Sequence, residues 1–510
     1  MSNGAHDGTV PKGAVPKGAV PKGAVPAGTV AASAALPRST VAIYAAGSLG
    51  TGGFATLPGL VLTYYLTNSL GVTALLAGVI VTSAKIWDVV IDPVIGAISD
   101  RELRTRGNRR RLVLIGALSL PVLFALTFAV PPAIGPWAAA AWVFVAFVAT
   151  ATAFSLFQVP YIALPAELTQ RYDERTRLLT WRVVVLTLAI LLFGAGGPML
   201  RGMTGDETSG YLLMGVVAGV TIGIGMLVAT ATARRARSAA SAVEPTDEVK
   251  PDTSSMSTGL RAHFAASMET LRRSQPFRAL LGTFFLQALA TALMLAGAQF
   301  YATWVLRSED AVTFLFVALI APALLAAPVW GLVARRIGKE RAFVIASVIF
   351  GLAALSIIGS LWSPGEWIYA PVAVAGVAYA GMQSLPMAML PDVISHDAAI
   401  HGHGRAGAFG GVWTAGETTG FAFGAGILSL ILALTGYVES VAGQVVAQPG
   451  AAVAGIVVSF SVLPAALVAA SLMTLRAYRL RRANIDADAS AAAGASATAT
   501  STTVAEGTPQ

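Results

Sequence analysis

Residues 72–98 read VTALLAGVIVTSAKIWDVVIDPVIGAI, and this stretch decides what kind of protein the chain is. It is long enough as a helix to cross a hydrocarbon core of roughly 30 Å. Its only charges are Lys85, Asp88 and Asp92, which helical spacing places at i, i+3 and i+7 on one stripe. An ionisable side chain inside a bilayer is costly and is kept where it has a task. Two carboxylates one turn apart can offer oxygen ligands to Na⁺ or hold a transferable proton. One lysine cannot neutralise both. The structural alternative pairs Asp88 with Lys85 and leaves Asp92 shallow enough to meet water. Pro93 loosens the backbone beside them.

Similar apolar runs recur from Val41 to Leu475. Hydrophobic residues make up 55% of the 510 positions and charged residues only 12%, with a mean hydropathy of +0.70, whereas a soluble domain carries roughly 25% charge. The bilayer therefore sets the fold: an all-α membrane protein of about twelve transmembrane helices in two pseudo-symmetric six-helix bundles. Spans are expected near 40–68, 72–98, 112–131, 137–164, 178–200, 211–232, 277–305, 311–334, 341–361, 367–390, 406–434 and 451–475. The expected domains are a disordered tail over 1–38, which holds the repeated Val10-Pro11-Lys12-Gly13-Ala14 pentapeptide, a first bundle over 39–233, a linker over 234–275, a second bundle over 276–478 and a tail over 479–510. The tail lacks the order of a cleavable signal peptide.

Basic residues gather in alternate connections: Arg101, Arg104, Arg106, Arg109, Arg110 and Arg111 after the second span; Arg171, Arg175 and Arg177 after the fourth; Arg335, Arg336, Lys339 and Arg341 after the eighth. The opposite connections carry Asp206, Glu207, Glu309, Asp310, Glu366 and Glu439. Retention of Lys and Arg on the cytoplasmic side places both termini in the cytoplasm of a multi-pass protein of the plasma (inner) membrane. The net charge of +8 is explained by topology, so no nucleic-acid partner is implied. Without cysteine there is no disulfide, thiolate metal site or Cys nucleophile. No Ser-His-Asp or His-Glu-x-x-His set and no phosphate-binding glycine loop with its Lys appears, so neither an enzyme nor an ATP-driven pump is indicated, and no cofactor is expected.

The two halves resemble each other. Gly96 to Asp100 and Arg101 after the second span match Gly331 to Arg335 and Arg336 after the eighth, as glycine, three residues, then charge. These segments are expected to act as gating hinges at the cytoplasmic side. Gln158, Pro160, Leu164, Pro165 and Glu167 match Gln383, Pro386, Leu390, Pro391 and Asp392. Such repeats mark transporters that rock two halves about a midplane site. Glu417, within Trp413-Thr414-Ala415-Gly416-Glu417, has no cationic neighbour within one turn, so its partner is another helix, a proton or a solute. His396, His401 and His403 beside Arg405 read as a solvated connection, and Tyr64-Tyr65 as an interfacial anchor or an entrance.

Tyr64-Tyr65, Lys85-Ile86-Trp87-Asp88 and Asp92-Pro93, with Val159-Pro160-Tyr161-Ile162-Ala163-Leu164, Glu167-Leu168-Thr169 and Leu390-Pro391-Asp392-Val393-Ile394, resemble the glycoside-pentoside-hexuronide:cation symporters, the melibiose permease group of the major facilitator superfamily. The resemblance runs from Ala42 to Arg482. It implies a major facilitator fold and a cation site at Asp88 and Asp92, a metal site only if Na⁺ is the coupling ion. Three positions depart from the melibiose-type pattern. Gly53 and Gln158 stand where acidic residues are typical, and Glu417 where a lysine is, which sets H⁺ beside Na⁺ as coupling ion.

The resulting expectation is cation-coupled symport of a small polar solute, a sugar or glycoside, by a monomer that alternates its access. Gln158, Gln383 and Glu417, with Tyr161 and Trp413 beside them, are the expected solute contacts. A major facilitator transporter of a non-sugar solute, such as an amphiphile or exported metabolite, is the alternative, and a receptor or scaffold without transport is the reading from another class.

Overall fold

The computed structural model describes residues 36–169, 172–240, 272–401, 406–444 and 446–480. The expected tails and linker fall, apart from their margins, outside the described residues, as do His403 and Arg405.

Among the described residues, twelve helices are long and apolar enough to cross a membrane: α1 Arg38–Ser69, α2 Ala74–Arg106, α3 Arg110–Thr127, α4 Pro136–Pro165, α5 Glu174–Gly202, α6 Glu207–Ala233, α7 Gln275–Val305, α8 Ala311–Ile337, α9 Lys339–Leu361, α10 Glu366–Ala398, α11 Phe409–Leu434 and α12 Gly450–Leu475. The packing repeats six helices on. Helix α3 lies against α4 and α6, and α9 against α10 and α12; α1 contacts α5 and α6 as α7 contacts α11 and α12; α2 meets α4 as α8 meets α10. Between the halves the seams are α2 with α11, α5 with α8, and α1 with α7. This is the pseudo-two-fold arrangement expected of two six-helix bundles.

Several helices outrun the apolar windows. Helix α2 continues through Asp100, Arg101 and Arg104 to Arg106 before Gly107, at φ 67°, ends it in the left-handed region. Helix α8 likewise includes Gly331, Arg335 and Arg336 and stops at Gly338, φ 92°. The two glycine-plus-charge segments expected as loop hinges are therefore helical, and the helices end only afterwards, at Gly107, six residues past Arg101, and at Gly338, two residues past Arg336. Basic residues suit the last turn of a helix, where they face its negative end and snorkel toward water. Helix α10 extends in the same way past His396, so that histidine sits on a helix and not in a connection.

The end carrying Arg101 to Arg111 and Arg335 to Arg341 is the basic end; the end carrying Asp206, Glu309 and Glu439 is the acidic end. At the acidic end exposed Asp206 accepts a hydrogen bond from the Ser209 N–H at 2.8 Å, and that bond to the start of α6 holds its carboxyl below the usual range. Tyr64 and Tyr65 are buried in this region. They belong to the helix junction and not to an outer aromatic belt.

Hydrogen bonds and ion pairs joining the two halves gather at the acidic end. Thr313 Oγ1 donates to Ala195 O at 3.0 Å, Arg201 pairs with Glu309 at 2.8 Å, and the Ala74 N–H that starts α2 donates to Glu439 at 2.8 Å. Gly78 on α2 allows close approach to α11, because a Cβ there would run into Ser429.

Candidate functional site

Helix α2 places the charged stripe as its spacing requires. Lys85 Nζ lies 3.5 Å from Asp88 Oδ2 and 4.8 Å from the centroid of the Phe54 ring on α1, a cation–π distance. The Phe147 ring on α4 is 6.0 Å away. Lys85 is thus held by one carboxylate and two aromatic faces. Asp88 is 7% exposed, and its Oδ1 has no hydrogen-bond partner; neither has the buried Oδ1 of Asp92. Ser155 on α4 faces Asp92, and Trp87 Nε1 donates to Thr152 Oγ1 at 2.9 Å, which fixes the rotation of α2 against α4. The arrangement is one internal cation, two carboxylates and a hydroxyl. It carries one surplus negative charge and two acceptor oxygens without donors, a combination that suits a proton or one small monovalent cation.

The two amides, Gln158 and Gln383, lie on the corresponding helices α4 and α10 of the two halves. Thr51 Oγ1 of α1 donates to Gln158 Oε1 at 2.7 Å, while Gln383 Nε2 of α10 donates to the Tyr379 hydroxyl at 2.9 Å. Glu417 on α11 is partly buried, and the charge that acts on it comes from Arg182 on α5, in the other half, without an ion pair between them among the described residues. The Nε of Arg182 is buried without a hydrogen-bond partner. Arg182 also lies over the Tyr161 ring, 5.8 Å from guanidinium carbon to centroid. Sequence reasoning passed over Arg182. Its signal was available: it follows Trp181 inside the fifth apolar run, five residues past Arg177, and an arginine at that depth asks for a partner.

Tyr161 and Trp413 are set more deeply. Tyr161 is fully buried, its hydroxyl donates to Tyr44 O at 2.7 Å, and its ring stacks on Tyr44 and Phe157. It pins α4 to α1. Trp413 is 2% exposed and stacks on Phe284 of α7 at 4.4 Å, with its Nε1 lacking a partner.

At the basic end the structure pairs residues other than those the repeat singled out. Arg109, in the α2–α3 turn, contacts Asp100 at 2.7 Å, Glu167 at 2.6 Å and the Ser99 hydroxyl at 2.6 Å. In the second half Lys339 contacts Asp392 at 2.6 Å and Ala388 O at 2.9 Å. Arg101, Arg335 and Arg336 are exposed and make no ion pair among the described residues. Asp100 thus lies in a charge cluster whose cation comes from beyond Gly107. Sequence spacing hid this because the turn folds Arg109 back beneath α2.

A family model described as MFS/sugar transport protein matches residues 43–482. The chain belongs to that family. An uncharacterized symporter of Synechocystis sp. is 25% identical over 87% of this chain and 94% of its own length. A putative glycoside/cation symporter of Escherichia coli (strain K12) is 24% identical, covering 84% and 88%. The solved structure of a D-xylose-proton symporter superposes with a TM-score of 0.61 at 14% identity, over 86% of this chain and 96% of that one, a likeness of fold. The family member described here is accordingly a multi-pass membrane transporter and not an enzyme.

Proposed function

We propose that this transporter carries a sugar or glycoside together with Na⁺ or H⁺ by alternating access, as a monomer in the plasma membrane with its basic end and both termini in the cytoplasm. The observation that carries the coupling is the pair of donor-free oxygens on Asp88 and Asp92 beside Lys85. The printed name of the Escherichia coli relative, a glycoside/cation symporter, supports the same reading.

The cation binds Asp88, Asp92 and the Ser155 hydroxyl. Coupling follows from where this site sits. Helix α2 also forms the seam with α11, where Thr82 Oγ1 donates to Ala422 O at 3.1 Å. Thr82 and Asp88 are six residues apart, about 9 Å along the helix at 1.5 Å per residue. An uncompensated carboxylate at mid-helix costs about 2.5–3.5 kcal/mol in a bilayer, so its charge state biases how α2 moves against the other half. The solute lies between the halves, its hydroxyls meeting Gln158 and Arg182 on one side and Gln383 and Glu417 on the other. A polyhydroxylated solute can donate to Glu417 and accept from Arg182 at once, spanning two opposite charges that do not reach each other.

The test is uptake by proteoliposomes against a panel of labelled glycosides, with Na⁺ and pH gradients imposed separately. Asp88→Asn and Asp92→Asn should each abolish gradient-driven accumulation while leaving the protein in the membrane. Cation-dependent uptake unchanged in both variants would falsify the assignment.

A further inference from the structure

The first helix of each half ends in the same unusual way. Tyr65–Ser69 at the end of α1 and Tyr301–Val305 at the end of α7 leave the α-helical ladder for a π-helical turn. The Leu70 N–H donates to Tyr65 O at 3.2 Å and the Val72 N–H to Leu66 O at 2.8 Å; at the corresponding positions the Leu306 N–H donates to Tyr301 O and the Ser308 N–H to Ala302 O, both at 3.1 Å. Gly71 then takes φ 65° and Arg307 φ 54°. Gly71 adopts the left-handed region freely, but for Arg307 it is strained, so the second half keeps this turn at a cost. Single π-turns inside α-helices concentrate at functional positions.

The two turns sit where the acidic end is sealed. Thr67 O and Ser69 O accept from the Ser440 and Ala442 N–H groups, each at 3.0 Å, and Leu70 and Val441 form an antiparallel β-bridge. The chain after α1 and the chain after α11, from opposite halves, thus clasp by main-chain bonds. Tyr437 reinforces the clasp: its hydroxyl donates to Asn68 Oδ1 at 2.7 Å and accepts from Trp304 Nε1, in the second π-turn, at 2.8 Å. Tyr64 and Phe300, which immediately precede the two turns, meet edge to face at 5.1 Å.

We propose that this clasp is the gate at the acidic end and that the two π-turns are its hinges: the segment 67–70 separates from 440–442 in each cycle, bending at Tyr65–Ser69 and Tyr301–Val305. The proposal rests on the alternating-access reading above. A β-bridge with a few main-chain bonds suits a gate because it breaks without exposing a large apolar face. A π-turn suits a hinge because its bonds are already displaced from the regular ladder.

The chain has no cysteine, so engineered thiols carry no background. Leu70→Cys with Val441→Cys is oxidised to close the clasp covalently. A Gln383→Cys reporter is then probed with a membrane-impermeant maleimide from the acidic-end side of sealed vesicles, and labelling is read as the mass of the peptide carrying position 383. Oxidation is expected to slow labelling at least tenfold, with dithiothreitol restoring it. It is also expected to raise hydrogen-exchange protection at least tenfold in the peptides covering Tyr65–Val72 and Tyr301–Ser308. Equal labelling before and after oxidation would overturn the gate, and unchanged exchange would overturn the hinges. If the cysteine pair does not insert, Tyr437→Phe decides: the reporter should react severalfold faster, and an unchanged rate would sink the proposal. A reporter that reacts from neither side counts against a central passage, and then it is alternating access that falls, and the gate with it.

Discussion

The charged residues divide by what surrounds them and not by how they look in sequence. Arg109 is 10% exposed at its side chain and closes on both Asp100 and Glu167, whereas Arg101 projects into solvent. Arg109→Gln leaves the mostly buried Glu167 without its cation and is expected to destabilise by about 3 kcal/mol, seen as a lowered Tm in detergent. Arg101→Gln should stay within about 0.5 kcal/mol of wild type; an equal loss in both would contradict this assignment. The opposed pair Arg182 and Glu417 gives a second contrast. Arg182→Gln removes a donor from the proposed solute site and should raise the uptake KM at least about tenfold, near 1.4 kcal/mol. The Tyr161→Phe variant, which loses the hydroxyl's bonds to Tyr44 O and the Ser48 hydroxyl, should lower stability by about 1 kcal/mol and raise KM far less than Arg182→Gln does.

Among the elements, the seams between halves depend on small residues and short bonds at the acidic end. On α5, Gly194 faces the Phe316 ring of α8, and any Cβ there would overlap it. Gly194→Leu should therefore wedge α5 from α8, costing about 1–3 kcal/mol through overpacking. It should also speed solvent access from the acidic end, measured by labelling of a passage cysteine; unchanged access would mean that α5 and α8 do not bear on closure. The helices themselves were legible from the apolar runs, because a bilayer allows only a spanning helix there. Their ends were not. Residues 99–106 read as a loop by charge, yet the helix continues because its last turn accommodates arginine and nothing before Gly107 forces a stop. The π-turns left no comparable mark, since Tyr65-Leu66-Thr67-Asn68-Ser69 has no proline or glycine to announce a change of ladder.

For the whole molecule, the packing pattern that recurs six helices on makes the transporter two similar bodies joined along three seams. Its conformation has the inter-half bonds at the acidic end. A ligand that binds this native form raises its apparent stability by mass action. A thermal-shift screen of purified protein against glycosides, with Na⁺, Li⁺ and acid pH varied, should give a shift that needs solute and coupling ion together. A shift by every glycoside at any ion composition would argue against coupling. The sequence by itself determined the number of spans, the internal repeat and the Asp88–Asp92 stripe, because hydropathy, loop charge and helical spacing are local properties written along the chain, and the resemblance of its motifs pointed to the family. Only the tertiary structure decided that Lys85 rests on Phe54 and Phe147, that Glu417 faces Arg182, that Arg109 and Lys339 close the basic-end clusters, and that Leu70 bridges Val441. Each of these joins residues from different helices or connections, and their meeting depends on how the helices rotate and pack, which no spacing along one helix encodes.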